Sequence, residues 1–485
     1  MRRASIAIAI AVAAAAAARG AEPAAVVLAP CQLAHPVVPT RVPARCGSLE
    51  VPEDPARPKG RRIALRIAVL SADAPRARRD AVFVLAGGPG QSITETYPAL
   101  AGAFERLNRD RDIVLVDQRG TGGSGRLACP VLDGTGSDLD PKPGDERRLA
   151  AECARSLPVD LAQYGTAAFV RDLDLVRSAL GYDQVNLVGF SYGTRAALAY
   201  ARAHPDRART LVLDGVAPFE MLVGADFGRD ADRALSLLFS RCRDDRACRD
   251  RYPDPERDFR EVLARLERRP EKVRARHPAT GERLDLTVDA DRFRQVVLGF
   301  LYQAETAALL PALVREARDG DLAPIASQAL LVASDIQAGL SRPLQLSVLC
   351  SEDVPFYPMA PAEEGRSFLG GSAREAFERA CADWPRGQVD PQFHRAAPME
   401  VPALLISGEA DPVTPPSWAE LAAISLPRSR AVTLPGQGHG NFGRGCMPRI
   451  VAEFVKRGSA EGLDAACLAR VRPAPVFIDL LGSSP

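Results

Sequence analysis

Residues 186–200, NLVGFSYGTRAALAY, decide how this chain is read. An apolar run ends in Gly189-Phe190-Ser191-Tyr192-Gly193, and an alanine-rich stretch suited to a helix follows at once. The pattern G-x-S-x-G carries meaning only between a strand and a helix, which is where it stands here. Small residues on either side of Ser191 let the backbone turn sharply and lift the hydroxyl clear of the sheet at a helix N-terminus. There the N–H of Tyr192 faces any oxyanion that forms. Ser191 is therefore a candidate nucleophile; the same five residues in a loop would be an ordinary glycine–serine turn.

Working outward, apolar segments alternate with helical ones. Strands are expected at 63–70 (IALRIAVL), 81–88 (AVFVLAGG), 112–120 (DIVLVDQRG), 185–191 (VNLVGFS) and 209–216 (RTLVLDGV). Near-continuous apolar strands separated by helices predict an α/β fold with a mostly parallel central sheet covered on both faces. From about 217 to 345 the pattern changes to amphipathic stretches, such as ADRALSLLFSRC, DFREVLARLERR, DRFRQVVLGFLY and LLPALVREARDG. One hairpin-like piece, KVRARHPATGERLDLTVD, turns at 279–281. This reads as an inserted, mainly helical cap. Strands are expected again at 344–353 (LQLSVLCSED), 401–411 (VPALLISGEAD) and 429–440 (SRAVTLPGQGHG). The expected organisation is a core over 22–216 and 346–485, interrupted by a cap over 217–345.

A serine hydroxyl needs a positioned base, and the base an orienting carboxylate. Of the five histidines, His35, His204 and His277 precede prolines in polar surroundings. His439, in Gly436-Gln437-Gly438-His439-Gly440 directly after an apolar strand, is the expected base, with His394 the alternative. Asp411 ends the strand ALLIS before a proline-rich turn and is the expected carboxylate; Asp214, in LVLDGV, is its rival and Glu409 a lesser one. A second oxyanion donor is expected from Ala86-Gly87-Gly88-Pro89-Gly90, where glycines let backbone N–H groups approach a substrate carbonyl. The assignment is the N–H of Gly88 together with that of Tyr192.

FVLAGGPGQS, DIVLVDQRGTGGSG, GFSYGT, GEADPVTP and GQGHG, in this order and spacing, resemble the proline-iminopeptidase and tripeptidyl-aminopeptidase branch of the α/β-hydrolase serine peptidases. The stretches around CSED and CADWP resemble its secreted tripeptidyl-aminopeptidase-like members, and the similarity runs from about residue 45 to the C-terminus. The order Ser191, Asp411, His439 is that of α/β-hydrolases. The resemblance implies a serine aminopeptidase that cleaves short peptides near a free N-terminus, with Glu352 binding the substrate's α-ammonium. A carboxylate in a capped site of low dielectric is suited to that ion pair. An ester hydrolase using the same triad is the alternative. The chain departs from the iminopeptidase pattern at Ala86, where that loop usually opens with histidine. Asp117-Gln118-Arg119-Gly120 lacks a P-loop lysine and the dinucleotide fingerprint, so it reads as a structural loop with Arg119 paired to an acid.

The bounds agree. The 485 residues carry 62 basic and 61 acidic side chains, a net charge of +1, with no basic face suited to nucleic acid. Arg2 and Arg3, the apolar run 4–18 and the small residues after it have the layout of a signal peptide over residues 1–21, cleaved after Ala18 or Ala21. That run is shorter than the roughly 20 residues a spanning helix needs. Export, to a periplasm or outside the cell, makes disulfides available to the ten cysteines. Nearest-neighbour pairing gives Cys31–Cys46, Cys129–Cys153, Cys242–Cys248, Cys350–Cys381 and Cys446–Cys467. No Cys-x-x-Cys or Cys/His cluster suggests a metal, and no cofactor is expected.

Overall fold

The computed structural model describes residues 26–133, 144–278, 280–337, 339–358, 367–368, 372–479 and 481–483. The segment read as a signal peptide, residues 1–21, lies outside the described residues. Among the described residues no helix is long and apolar enough to cross a membrane.

The strands up to Leu434, in chain order, are β1 (Ala29–Ala34), β2 (Arg41–Pro52), β3 (Arg62–Leu70), β4 (Asp80–Leu85), β5 (Ile113–Val116), β6 (Gln184–Phe190), β7 (Ala208–Asp214), β8 (Glu271–Arg276), β9 (Arg283–Val288), β10 (Ala403–Gly408) and β11 (Ser429–Leu434). Nine of them form one sheet in the order β1-β2-β3-β5-β4-β6-β7-β10-β11. The first three pair antiparallel, as do β3 and β5; from β5 to β11 all neighbours are parallel. Every residue of β5 and β10 is buried, the pattern of strands covered on both faces. Absent from the sequence reading are the short antiparallel pair Phe477–Asp479 and Gly482–Ser483 near the C-terminus and, within the sheet, β1 and β2. Their burial alternates, and Pro43 and Pro52 interrupt β2, so neither strand offers an apolar run.

The register puts the chemistry on one edge. Leu85 pairs with Gly189, Phe190 with Asp214, Ile406 with Asp214, and Gly408 with Leu434. The loops that leave β4, β6, β7, β10 and β11 therefore emerge side by side beyond the carboxyl ends of parallel strands, where such sheets bind their ligands.

Between β7 and β10 the chain forms helices at Phe227–Asp244, Pro255–Arg268, Ala290–Leu301, Leu310–Arg318 and Ala323–Gln337, with β8 and β9 as an antiparallel hairpin. Ala279, in its turn, lies outside the described residues. These helices share an apolar core of their own, in which Phe239, Phe259, Phe293, Val297 and Leu313 are buried. Asp254 and Asp289 cap two of them, accepting from the N–H groups of Arg257 and Arg292.

The expected strand at 344–353 is instead a helix, Arg342–Glu352. Ser341 caps it by accepting from the Leu344 N–H, and Pro343 stands in the first turn. The helix is buried on nearly all sides, so it lacks the polar stripe that marks a surface helix. A short apolar run of this kind has no periodicity to separate it from a strand. The sheet resumes only at Ala403.

All ten cysteines pair in sequence order. Cys350–Cys381 joins the buried helix to the helix Ser372–Cys381 across a sequence separation of 31. Closing a loop of that size constrains the unfolded chain by about 3–4 kcal/mol. Replacing both cysteines by serine is expected to lower the denaturation midpoint accordingly. An unchanged midpoint would show that the helices dock equally well without the bridge.

Candidate active site

Ser191 has φ 53° and ψ −123°, and among the described residues it is the only non-glycine with a positive φ. Holding that conformation costs on the order of 1–3 kcal/mol, so its surroundings must enforce it. They do so by proximity. A Cβ added at Gly189 would lie 2.4 Å from Gly193 O, and one at Gly193 would lie 2.4 Å from Leu85 O, so neither position admits a side chain. The Ser191 N–H donates to Asp214 O at 2.9 Å, and the Thr194 hydroxyl donates to Ser191 O at 2.6 Å. The helix Tyr192–Ala203 begins at the next residue.

His439 and Asp411 leave the ends of adjacent parallel strands, which brings them together across 28 residues of chain. His439 Nδ1 lies 2.8 Å from Asp411 Oδ2, which leaves Nε2 as the nitrogen able to take a proton. Asp411 is fully buried. Its Oδ1 accepts from the N–H groups of Val413 (2.9 Å) and Thr414 (2.8 Å), and its Oδ2 also accepts from the Thr414 hydroxyl at 2.9 Å. Burial alone would raise this carboxyl's pKa, but the adjacent imidazole and the N–H donors hold it below the ordinary carboxylate range. For His439 burial pulls the other way, and the Asp411 charge outweighs it, so its pKa is raised. The cap supports the ring from outside: the His439 N–H donates to Tyr302 O at 2.7 Å, Gln303 Nε2 donates to His439 O at 3.2 Å, and the Tyr302 ring meets the imidazole edge-on at 5.3 Å.

The competing residues have other partners. Asp214 Oδ2 accepts from the N–H groups of Asn441 (2.6 Å) and Phe442 (2.7 Å), which ties down the loop just beyond His439. Burial pushes the Asp214 pKa up to about 6 against those two donors. Glu409 pairs with Arg241 at 2.8 Å and accepts from the Gly436 N–H at 2.8 Å. His394 sits elsewhere, with its two ring nitrogens 2.8 Å from Phe219 O and 2.6 Å from Glu352 O. None of these pairings is visible as a local pattern in the sequence. The roles of Asn441 and Thr414 escape the sequence reading for the same reason, although Thr414 lies within GEADPVTP and Asn441 directly follows GQGHG.

The loop after β4 passes beside the elbow. A Cβ at Gly87 would lie 3.0 Å from Ser191 Cβ, and Gly88 and Gly90 have φ values of 107° and 109°, which favour glycine. Among the described residues no backbone carbonyl takes the N–H of Gly88 or Tyr192. The last part of the inserted segment steadies this loop: the Ser341 N–H donates to Gly90 O at 2.8 Å, and Leu340 bridges to Gln91. Below it, buried Asp117 accepts from Ser92 Oγ, the Thr94 N–H and hydroxyl, and the Gly123 N–H. Arg119 makes a bidentate pair with Asp172, at 2.8 Å for both bonds, as the structural reading of that loop requires.

Glu352 lies at the end of the buried helix and is only 3% exposed. Its Oε1 accepts from the Thr166 N–H and its Oε2 from the Thr166 hydroxyl, both at 2.6 Å. Burial pushes its pKa up to about 7, although the Thr166 bonds favour the charged form. It lines a cavity of about 700 Å³ with Val170, Ala199, Arg202 and Phe393, and none of Ser191, Asp411 or His439 borders that cavity.

The His439 shift sets a pH dependence. Protonated His439 cannot accept the serine proton, so kcat/KM is expected to rise with pH through a midpoint above the ordinary histidine value of 6.5. The stability that the charged pair adds has the opposite trend. It is fully present below pH 6.5 and is lost as pH rises through the folded-state pKa of His439. A pH–rate profile checks the first statement, and an acid limb centred at or below 6.5 would contradict it.

Residues 80–296 match a family model described as alpha/beta hydrolase fold, and residues 367–467 match one described as TAP-like protein. The first match contains Ser191; the second contains Asp411 and His439. Serine protease Hip1 of Mycobacterium tuberculosis (strain ATCC 25618 / H37Rv) is 33% identical over 204 residues, 38% of this chain and 38% of that protein. Tripeptidyl aminopeptidase of Streptomyces lividans is 32% identical over 191 residues, 36% of this chain and 35% of that protein. The matched regions thus span little more than a third of these curated relatives. A thermophilic esterase from Thermogutta terrifontis superimposes with a TM-score of 0.39 at 16% identity, over 85% of this chain and 99% of that one.

Proposed function

Because the chain belongs to the α/β-hydrolases and carries a TAP-like C-terminal region, we propose that it is an exported serine aminopeptidase acting on short peptides near a free N-terminus. One observation carries the reading: a serine held in a strained turn shares a sheet edge with a histidine whose Nδ1 is bonded to a buried aspartate. Ser191 Oγ attacks the scissile carbonyl while His439 Nε2 takes its proton, and Asp411 holds the tautomer and stabilises the imidazolium. The N–H groups of Gly88 and Tyr192 receive the oxyanion. The intermediate collapses as His439 protonates the leaving amine; a water, deprotonated by the same nitrogen, then releases the acyl group from Ser191. No step draws on a metal or a cofactor.

The peptide substrate is inferred from the relatives named above, and export from five disulfides, which persist in oxidising compartments. One observation favours a second reading, a carboxylic-ester hydrolase with the same triad: Glu352 is only 3% exposed and lines a cavity that none of Ser191, Asp411 and His439 borders. Hydrolysis of free and N-acetylated aminoacyl, prolyl and tripeptidyl anilides, with a simple ester alongside, separates the two. Cleavage of the free-amine anilides alone supports the aminopeptidase and shows how many residues it removes. Ester cleavage without anilide cleavage retires it.

A further inference from the structure

Behind the nucleophile lies a buried chain of polar groups that the reaction does not use directly. Tyr192, Thr166 and Glu352 are exposed by 2%, 0% and 3%, and they come from three separate elements. The Tyr192 hydroxyl lies 2.7 Å from Thr166 Oγ1, which lies 2.6 Å from Glu352 Oε2. Gln118 Nε2 approaches the Tyr192 hydroxyl from the other side at 3.4 Å. Gly165 makes the approach possible, since a Cβ there would lie 2.9 Å from Glu352 Oε1.

The direction of these bonds follows from counting protons. A threonine hydroxyl has one hydrogen. Glu352 accepts from both the N–H and the hydroxyl of Thr166, so that hydrogen goes to the carboxylate and Thr166 Oγ1 accepts from Tyr192. The Tyr192 hydroxyl therefore donates to Thr166 and accepts from Gln118, and each polar group in the chain has a defined role.

We propose that Glu352 is a positioning residue for the oxyanion donor, acting through Thr166 on Tyr192, and is not the ligand of the substrate's amine. The inference rests on the reading of Ser191 as nucleophile and the Tyr192 N–H as oxyanion donor. The peptide unit that carries this N–H joins Tyr192 to Ser191, the residue with φ 53°. Relaxation of that turn would rotate the peptide and swing the N–H away from the oxyanion. The Tyr192 side chain resists the rotation because its far end is tied to a buried acceptor. Tyr192 and Thr166 are almost wholly buried, and a buried hydroxyl that loses its partner bears the full desolvation penalty.

The test uses the purified enzyme with three substrates, a free-amine anilide, its N-acetylated form and a simple ester, with rates normalised to fluorophosphonate-labelled sites. Glu352→Gln removes the charged acceptor while keeping the shape. It is expected to lower kcat by about 10- to 10²-fold on every substrate the enzyme cleaves, with KM little changed, because a displaced oxyanion donor slows chemistry and not binding. Thr166→Val is expected to do the same, and Thr166→Ser, which keeps the hydroxyl, to restore most of the rate. Tyr192→Phe deletes only the far end of the chain and serves if Glu352→Gln does not fold. A rise in KM confined to the free-amine substrate would assign Glu352 to the amine and overturn the proposal, as would an unchanged kcat in Glu352→Gln or Tyr192→Phe. Turnover by Ser191→Ala would instead remove the reading beneath it.

Discussion

Ser191→Ala is expected to lose turnover by about 10⁶-fold, the scale seen when the nucleophile of a triad is deleted, while unfolding at the same temperature as the parent. The second half of this expectation comes from the turn itself. The strain at Ser191 is held by Gly189, Gly193 and the backbone bonds to Asp214 and Thr194, none of which involves the hydroxyl. Alanine inherits that backbone and loses no hydrogen bond needed for folding. The measurement is kcat on the best substrate with a melting curve for the same preparation. Retention of activity would sink the nucleophile assignment; a large fall in melting temperature would show that the hydroxyl supports the fold as well.

Asp411→Asn is expected to cost about 10⁴-fold in kcat with the fold intact, because the substitution reverses the imidazole tautomer. The direction is set by the surroundings of the side chain. Asp411 Oδ1 accepts from two backbone N–H groups, so the asparagine carbonyl oxygen must take that place. Its NH₂ is then left at the Oδ2 position, facing His439 Nδ1. An amide that donates to Nδ1 obliges the ring to carry its proton on Nε2, where it can no longer accept one from Ser191. Near-parental kcat in this variant would transfer the orienting role to another acid, with Asp214, whose charge also acts on His439, the candidate.

The parts of this architecture legible in the sequence are those whose cause is local. A parallel strand buried on both faces must be apolar throughout, and a serine at a sharp turn must have small neighbours, so β4 to β7, β10 and Ser191 stand out. Features decided by tertiary partners do not. The helix Arg342–Glu352 has the composition of a buried strand because it is surrounded like one. β1 and β2 are held by neighbours and carry little apolar signal of their own. The choice between Asp411 and Asp214 turns on which carboxylate faces the imidazole and which faces the backbone of the next loop, and both sit at strand ends in similar sequences. Glu352 was singled out through a family resemblance, yet its burial against Thr166 follows from a glycine 187 positions earlier, a pairing visible only in three dimensions.

The insert between β7 and β10 does more than cover the sheet edge. Its carbonyl at Tyr302 receives the His439 N–H, and its Ser341 N–H is bonded to Gly90 O. Both ties are made by main chain, which any residue supplies. Apart from Tyr302 and Gln303, whose side chains meet His439, side chains of the insert are therefore free to diverge while the base loop and the oxyanion loop keep their spacing. Substrate preference can drift in such a molecule by replacement of wall residues alone, whereas shortening the insert would remove supports from the reaction centre along with the wall.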